Sequence, residues 1–379
     1  MLKQYRRPIA ARMFVLMTLA ASQVSAQETV IIGGSAPLTG NLAHLGKDEE
    51  NGARLAVEEI NAQNIIIAGK PLRLTLDMQD DAADPRTATL IAQRFVDENV
   101  VAVVGPLNSG AAIPTSKIFN DGKIAQITTA TNPKFTLQGF KTTFRVVATD
   151  AQQGPALATY VSGQLRAKNV AVVDDATAYG QGLADEFVKA AKSLGINVVS
   201  RDSATDKTVD FRAILTKIKG ENPDAIMYGG SDGTSGPFVR QLKQLGLRAK
   251  VVSGDGTCTE KFPDLAGPGA DNVVCSEASV ALEKMPGGGK FQEKFVKRFG
   301  QPTQQYAPFF YDAVYVFVNA MKSANSTDAV KILAAMPETK YDGVIGPIEF
   351  DQKGDLKHGS ISLFTFKGGK KTLLDEVKL

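Results

Sequence analysis

LRLTLDMQDDAADPRTATLIAQRFVDENVVAVVGPLNSG, residues 72–110, runs through two periodicities. Residues 72–78 alternate apolar and polar, the spacing of a strand with one face turned inward. Asp84-Pro85 has the form of a helix start, aspartate as N-cap and proline in the first turn. Ala88, Ile91, Ala92 and Phe95 then recur at helical spacing and make one apolar face. VVAVV (100–104) is apolar throughout, the mark of a short strand covered on both sides. A strand, a helix and a second strand in this order make a βαβ unit, the element of a parallel sheet. It ends in a small, polar turn, GPLNSG (105–110), at the start of a further helix.

The same grammar extends in both directions. Upstream, TVIIGGS (29–35) is a strand, and Ala53, Ala56, Val57 and Ile60 mark a helix. Downstream, IAQIT (124–128) is another short buried strand. KNVAVVDD (168–175) then restarts the pattern, and the helix over 179–195 stops at Gly195. Residues 196–236 repeat the order of 72–110 at nearly the same spacing: strand, acidic turn, helix, strand, small-residue turn. This predicts two lobes of like construction, each a doubly wound parallel α/β sheet, with a ligand cleft where strand ends face each other. The aromatic-rich stretch 306–324 reads as a core helix. YDGVIGPIEFD and SISLFTF read as strands about the polar turn DQKGDLKHG, too few elements for a third lobe. They return to complete the first two, which implies several crossovers and a hinge.

Residues 1–26 have a basic start (Lys3, Arg6, Arg7, Arg12), an apolar core at 13–21 and small residues at Val24-Ser25-Ala26, the pattern of a secretory signal peptide. The formal charge of +3 includes those four basic residues, so the mature chain stands near −1. Nothing favours nucleic acid or an anionic membrane as a partner. Cys258 and Cys275 both survive signal removal and read as a disulfide in an oxidising compartment. A zinc site needs more ligands, and the only histidines are His44 and His358, each read as a surface residue in a turn. No metal and no cofactor is expected.

Catalytic patterns are missing. Gly105 to Gly110 has the spacing of a phosphate loop, but no Gly-Lys-Ser/Thr follows, and no G-x-G-x-x-G stands after a first strand. Asp80-Asp81 and Asp174-Asp175 are adjacent on strands and point to opposite faces, so they make no glycosidase pair. A secreted α/β enzyme is therefore the weaker alternative. Binding fits better. Ser109 brings a hydroxyl and an N–H to a helix start, and TTATNP (128–133) brings Thr129 and Thr131 to the next strand end. Together they could surround a carboxylate with neutral donors. Asp255, at a strand end of the second lobe, could pair with an ammonium. Each of these turns taken alone is also an ordinary helix cap or Asp-Gly turn.

In order along the chain, PLTGNLAHLG, DDAADP, VVGPLNSG, TTATNP, TDAQQGP (149–155), VDDATAYGQGLADEF, MYGGSD, GDGTC and GPIEFDQKGDLKHG resemble the periplasmic Leu/Ile/Val-binding proteins. These are the substrate-binding subunits of branched-chain amino acid ABC importers, and the likeness covers nearly the whole mature chain. The resemblance implies two Rossmann-like lobes joined by three strands, the type I periplasmic binding fold, with lobe 1 at 27–149 plus 278–358 and lobe 2 at 150–277 plus 359–379. It implies a monomer in the periplasm that closes over an amino acid without reacting with it and docks on a membrane permease. The family's α-carboxylate site maps to Ser109, Thr129 and Thr131. Its aromatic after the first strand of lobe 2 maps to Tyr179, its ammonium partner to Asp255 in the Asp255-Gly256 turn, and its pocket aromatic to Tyr306. Several positions depart from the family. Asp255 stands where glutamate is common, and Ser231 and Leu45 stand where tyrosines line the pocket. The family's first-lobe disulfide falls at Ala83 and Asn108, so Asn108 borders the site as a non-cysteine. These departures leave open another amino acid, an aromatic carboxylate or a small amide as ligand. A Cys258–Cys275 bond would close a loop beside Asp255 and hold that turn.

Overall fold

The computed structural model describes residues 28–378. The chain begins with β1 (Glu28–Ala36), α1 (Ala43–Ala62), β2 (Ile66–Ile67), β3 (Lys70–Asp80) and α2 (Pro85–Asp97). It continues with β4 (Ala102–Val104), α3 (Ser109–Gly122), β5 (Ala125–Thr128), α4 (Lys134–Leu137) and β6 (Thr143–Arg145). These strands form a sheet in the order β2-β3-β1-β4-β5-β6, parallel except for the short β2 edge. The Asp84 carboxylate accepts the Thr87 N–H at 2.8 Å, so the cap read from the sequence starts α2. Ala88, Ala92 and Phe95 are buried beneath the sheet, while Ile91 sits half-buried at the helix flank.

A second set follows: α5 (Asp150–Gly163), β7 (Asn169–Asp174), α6 (Ala178–Ser193), β8 (Asn197–Ser203), α7 (Arg212–Glu221) and β9 (Ala225–Gly229). Then come α8 (Asp232–Gln244), β10 (Lys250–Ser253), α9 (Phe262–Ala266) and β11 (Val273–Glu277). The parallel order β8-β7-β9-β10-β11 repeats that of β3-β1-β4-β5-β6. In each lobe the order reverses beside the first strand, at β1/β4 and at β7/β9. That reversal opens a crevice at the carboxyl ends of the strands, where ligands of such sheets sit.

The chain then returns to the first lobe with α10 (Gly288–Phe299), α11 (Ala307–Ala324), α12 (Ala329–Ala335) and the small hairpin of β12 (Tyr341–Gly343) and β13 (Gly346–Ile348). Helix α11 is buried along most of its length and lies against α1. Contact is close at Gly52, where a Cβ would stand 2.1 Å from the Ala307 carbonyl oxygen. The last hairpin, β14 (Ser360–Lys367) and β15 (Lys370–Lys378), extends the second sheet antiparallel beyond β11. Its turn, Gly368-Gly369, takes positive φ at both residues, which glycine adopts without strain.

Three segments cross between the lobes: after β6, after β11 and before β14. They lie together, since the Ala148 N–H donates to the Ala278 carbonyl (2.8 Å) and the Arg145 N–H to the Gly354 carbonyl (2.9 Å).

Candidate functional site

The carboxyl ends of β4, β5, β9 and β10 and the first turns of α1, α3, α6 and α11 enclose one small cavity between the lobes. All ten residues singled out from the sequence line it: Leu45, Asn108, Ser109, Thr129, Thr131, Tyr179, Ser231, Asp255, Gly256 and Tyr306. Leu42, Leu107 and Ala130 complete the wall. The cavity is shut. Ser109, Thr129, Thr131, Asp255 and Tyr306 are all buried. The lobes touch on either side of it, through the Asn132 amide on the Ala178 carbonyl (2.6 Å) and through His44 Nε2 on Asp232 Oδ2 (2.8 Å). His44 is therefore not the surface residue its turn suggested. Its side chain is 13% exposed and spans the cleft to a fully buried carboxylate that also accepts from Thr259 Oγ1 (2.7 Å). His358 is exposed.

The lobe-1 wall is built of neutral donors. Gly105 takes φ of +97° and would, with a Cβ, meet the Ser35 carbonyl oxygen at 2.1 Å; glycine there lets the chain turn tightly from β4 toward Ser109. Ser109 opens α3, and its Oγ accepts the Asn132 N–H at 3.2 Å, which joins the two donor turns. The Thr129 hydroxyl donates to Glu49 (2.7 Å), whereas the buried Thr131 hydroxyl has no partner in the protein. Helix α3 directs its N-terminus at this point, so N–H groups, hydroxyls and the helix dipole all favour a carboxylate there.

The lobe-2 wall centres on Asp255, the one charged side chain among the described residues lining the cavity. Its Oδ1 accepts from Gln153 Nε2 (2.8 Å) and Tyr179 OH (2.9 Å), and its Oδ2 from Tyr306 OH (2.8 Å). Burial pushes both phenols well above their ordinary range, and the Asp255 charge adds to it. Both tyrosines thus stay neutral donors. The Gly256 N–H donates in turn to Tyr179 OH (2.9 Å). Cys258 and Cys275 are bonded and tie this turn to β11, while the Cys258 N–H closes it on the Asp255 carbonyl (3.0 Å).

Opposite the polar groups, Leu42, Leu45 and Leu107 leave an aliphatic side. One end of the cavity therefore suits a carboxylate, another a cation, and the remainder an apolar side chain. No group of His, Cys, Asp and Glu among the described residues could hold a metal ion.

Residues 29–370 match the family model described as periplasmic binding protein. The chain belongs to the periplasmic binding protein family. A Leu/Ile/Val-binding protein of Rhizobium johnstonii, BraC3, is 33% identical over 365 residues, which is 94% of this chain and 98% of the relative. Among solved structures, the leucine-binding protein LivK of Thermotoga maritima is 28% identical with a TM-score of 0.85, covering 92% of this chain and 98% of its own. LivJ of Streptococcus pneumoniae, solved in complex with isoleucine, is 28% identical with a TM-score of 0.83, covering 93% and 100%.

Behind the cavity wall of this family member stand three groups that sequence reasoning did not single out. Asp48, on α1, accepts the N–H groups of Gln304, Gln305, Tyr306 and Ala307 at 2.7–2.9 Å, capping α11 and fixing Tyr306. Burial raises its carboxyl, and those four N–H groups draw it back. Arg145, fully buried, donates to the carbonyls of Ala130 and Asn132, to Thr136 Oγ1 (3.2 Å) and to Asp355 (2.8 Å). It holds the Thr129–Thr131 turn from beneath. Asp150, at the start of α5, is the third. Each is a buried charged residue, and no local pattern marks it.

Proposed function

We propose that this protein is an exported solute-binding protein that captures an amino acid, of the branched-chain class Leu, Ile and Val, by closing its lobes, and delivers it to the permease of an ABC importer. The observation that carries this reading is the cavity's division of labour. Ser109, Thr129 and Thr131 with the α3 N-terminus take the α-carboxylate, and Asp255 takes the ammonium. Leu42, Leu45, Leu107 and Tyr306 take the side chain, in the wall that also holds Asn108, Tyr179, Ser231 and Gly256. The LivJ relative solved with isoleucine and the relatives named for leucine or Leu/Ile/Val binding support the same ligand class.

Closure follows from differential contact. A ligand bound to both walls at once favours the shut form over the open one. The protein acts as a monomer in the periplasm, with residues 1–26 removed on export; that segment lies outside the described residues. On this reading the lobe borders lie near 149/150, 277/278 and 358/359, where the chain passes from one sheet to the other. The reading involves no reaction: the ligand is held and then released.

A dye-based thermal-shift screen of ligand-stripped protein tests the reading, since the chain has no tryptophan. The twenty L-amino acids are run beside simple carboxylates and amides. A ligand at about 100 times its Kd stabilises by about 2.7 kcal/mol. Shifts with Leu, Ile and Val are expected; shifts only with compounds that lack an amine would refute it.

A further inference from the structure

Asp150 is fully buried one layer behind the cavity wall and takes no part in the contacts assigned above. One amide connects it to the site. Gln153 Nε2 donates both to Asp150 Oδ1 (3.2 Å) and to Asp255 Oδ1 (2.8 Å), and Ser276 Oγ fixes the orientation by donating to Gln153 Oε1 (2.7 Å). Two buried carboxylates therefore share a single NH2 group. The other oxygen of Asp150, Oδ2, accepts no hydrogen bond of ordinary geometry; the Thr131 hydroxyl, which has none either, is the side chain that faces the Asp150 carboxylate and partly offsets its burial. The Asp150 N–H donates to the Thr131 carbonyl (2.8 Å), so the aspartate is anchored to the donor turn of lobe 1.

Few charges offset the pair. Arg145, on β6, is the cation near Asp150, but its guanidinium is spent on Asp355, Thr136 and the Ala130 and Asn132 carbonyls. From α6, Tyr179 faces both carboxylates and stays neutral. Two like charges this close, out of water and without a cation between them, do not both ionise.

We infer that Asp150 and Asp255 work as one acid pair that holds a single proton in the ligand-free protein, and that an ammonium-bearing ligand expels this proton on binding. The O–H bond of Asp150 breaks, and its proton passes to solvent. The pair changes from one negative charge to two, and the ammonium supplies the balancing positive charge. Burial, with the Asp255 charge adding to it, pushes the Asp150 carboxyl up to about 8, which keeps it protonated at neutral pH until a cation arrives. Asp150 is thus a positioning residue that acts through Asp255. Below about pH 8 the ammonium competes with that proton, so binding of an amine weakens as pH falls, whereas a plain carboxylate leaves the proton in place and shows no such dependence. The inference rests on the proposed reading that the ligand carries an ammonium.

The experiment is calorimetric titration of L-leucine into the full mature protein at pH 6.5, in buffers of different ionisation enthalpy. The expected result is release of about one proton per ligand bound, with affinity falling about tenfold per pH unit between pH 7.5 and 6. Asp150→Asn is expected to bind leucine with no proton release and a flat pH profile. Leucine binding to the wild type without proton release overturns the inference and leaves the proposed function standing. Undiminished release from Asp150→Asn overturns the assignment to Asp150. Binding confined to ligands without an amine overturns both inference and function. Should the variant not fold, the proton count of the wild type decides.

Discussion

Replacing Asp255 separates its charge from its place in the wall. Its carboxylate is 3% exposed and serves three neutral donors: Gln153, Tyr179 and Tyr306. In Asp255→Ala these donors lose their acceptor, at about 1–3 kcal/mol for each that stays buried and unpaired. The ligand ammonium also loses its counter-charge, and truncating one partner of a buried charge pair costs about 2–5 kcal/mol. That corresponds to affinity weaker by roughly 30-fold to several thousand-fold. Asp255→Asn keeps the size and one acceptor oxygen but not the charge. Its stability should lie near wild type, while its affinity for L-leucine falls nearly as far as that of the alanine variant. The assay is isothermal calorimetry on ligand-stripped protein, with urea unfolding of each variant as the stability control. Leucine affinity of Asp255→Asn within threefold of wild type would show that no ammonium faces this carboxylate.

Further outcomes are expected. Arg145→Met strands two buried carbonyls and the Asp355 carboxylate, so urea unfolding should show a loss of about 3–5 kcal/mol; a loss below about 1 kcal/mol would mean that the Thr129–Thr131 turn holds itself. The Cys258–Cys275 bond closes a 17-residue separation, and Cys258→Ser with Cys275→Ser should cost about 3 kcal/mol by loop entropy. That double variant should also bind leucine more weakly, and unchanged melting temperature and affinity would refute a role in holding the Asp255 turn. His44→Ala removes a cross-cleft contact worth roughly 1–3 kcal/mol; stopped-flow ligand release should quicken about tenfold, and an unchanged rate would mean His44 does not help hold the lobes shut. Burial raises Asp81 and Asp175 to about 6 and Asp312 to about 7, so the folded chain keeps protons that the unfolded chain would release. Stability of the ligand-free protein should then rise as pH falls from 8 toward 5, by on the order of a few kcal/mol, and a flat or falling urea midpoint over that window would contradict it.

Periodicity made the two sheets legible, because each βαβ unit writes its strand and helix into neighbouring residues. The Asp84 cap, the stop at Gly195 and the apolar run at 100–104 are all local signals; the first two lie where the sequence put them, and the run holds a strand shortened to Ala102–Val104. Ser109, Thr129, Thr131 and Asp255 were legible for a related reason: they sit on turns that directly follow buried strands, whereas Leu45, Tyr179, Ser231 and Tyr306 came only from the family resemblance. The supports were not. Asp48 meets Tyr306 across 258 residues, and within Asp48-Glu49-Glu50 it looks like part of a solvated helix face. Arg145 and Asp150 carry no mark of burial in the sequence, yet both are fully buried. His44 misled because a turn next to a cleft ceases to be surface when the cleft shuts. The β15 strand was missed although Gly368-Gly369 between two runs is a hairpin signal.

The path of the chain bears on when each lobe can first exist. All six strands of the first sheet are made by residue 145, but α11, which covers its buried α1 face, arrives only at 307–324. The second sheet waits longer still, for the β14–β15 hairpin at its edge. A growing chain folds its units in order of emergence, and here neither unit is whole until α11 and the β14–β15 hairpin have been made. Late completion delays the closing of both cores. For a protein that on the proposed route threads through a membrane before it works, that delay is an asset written into the order of its elements.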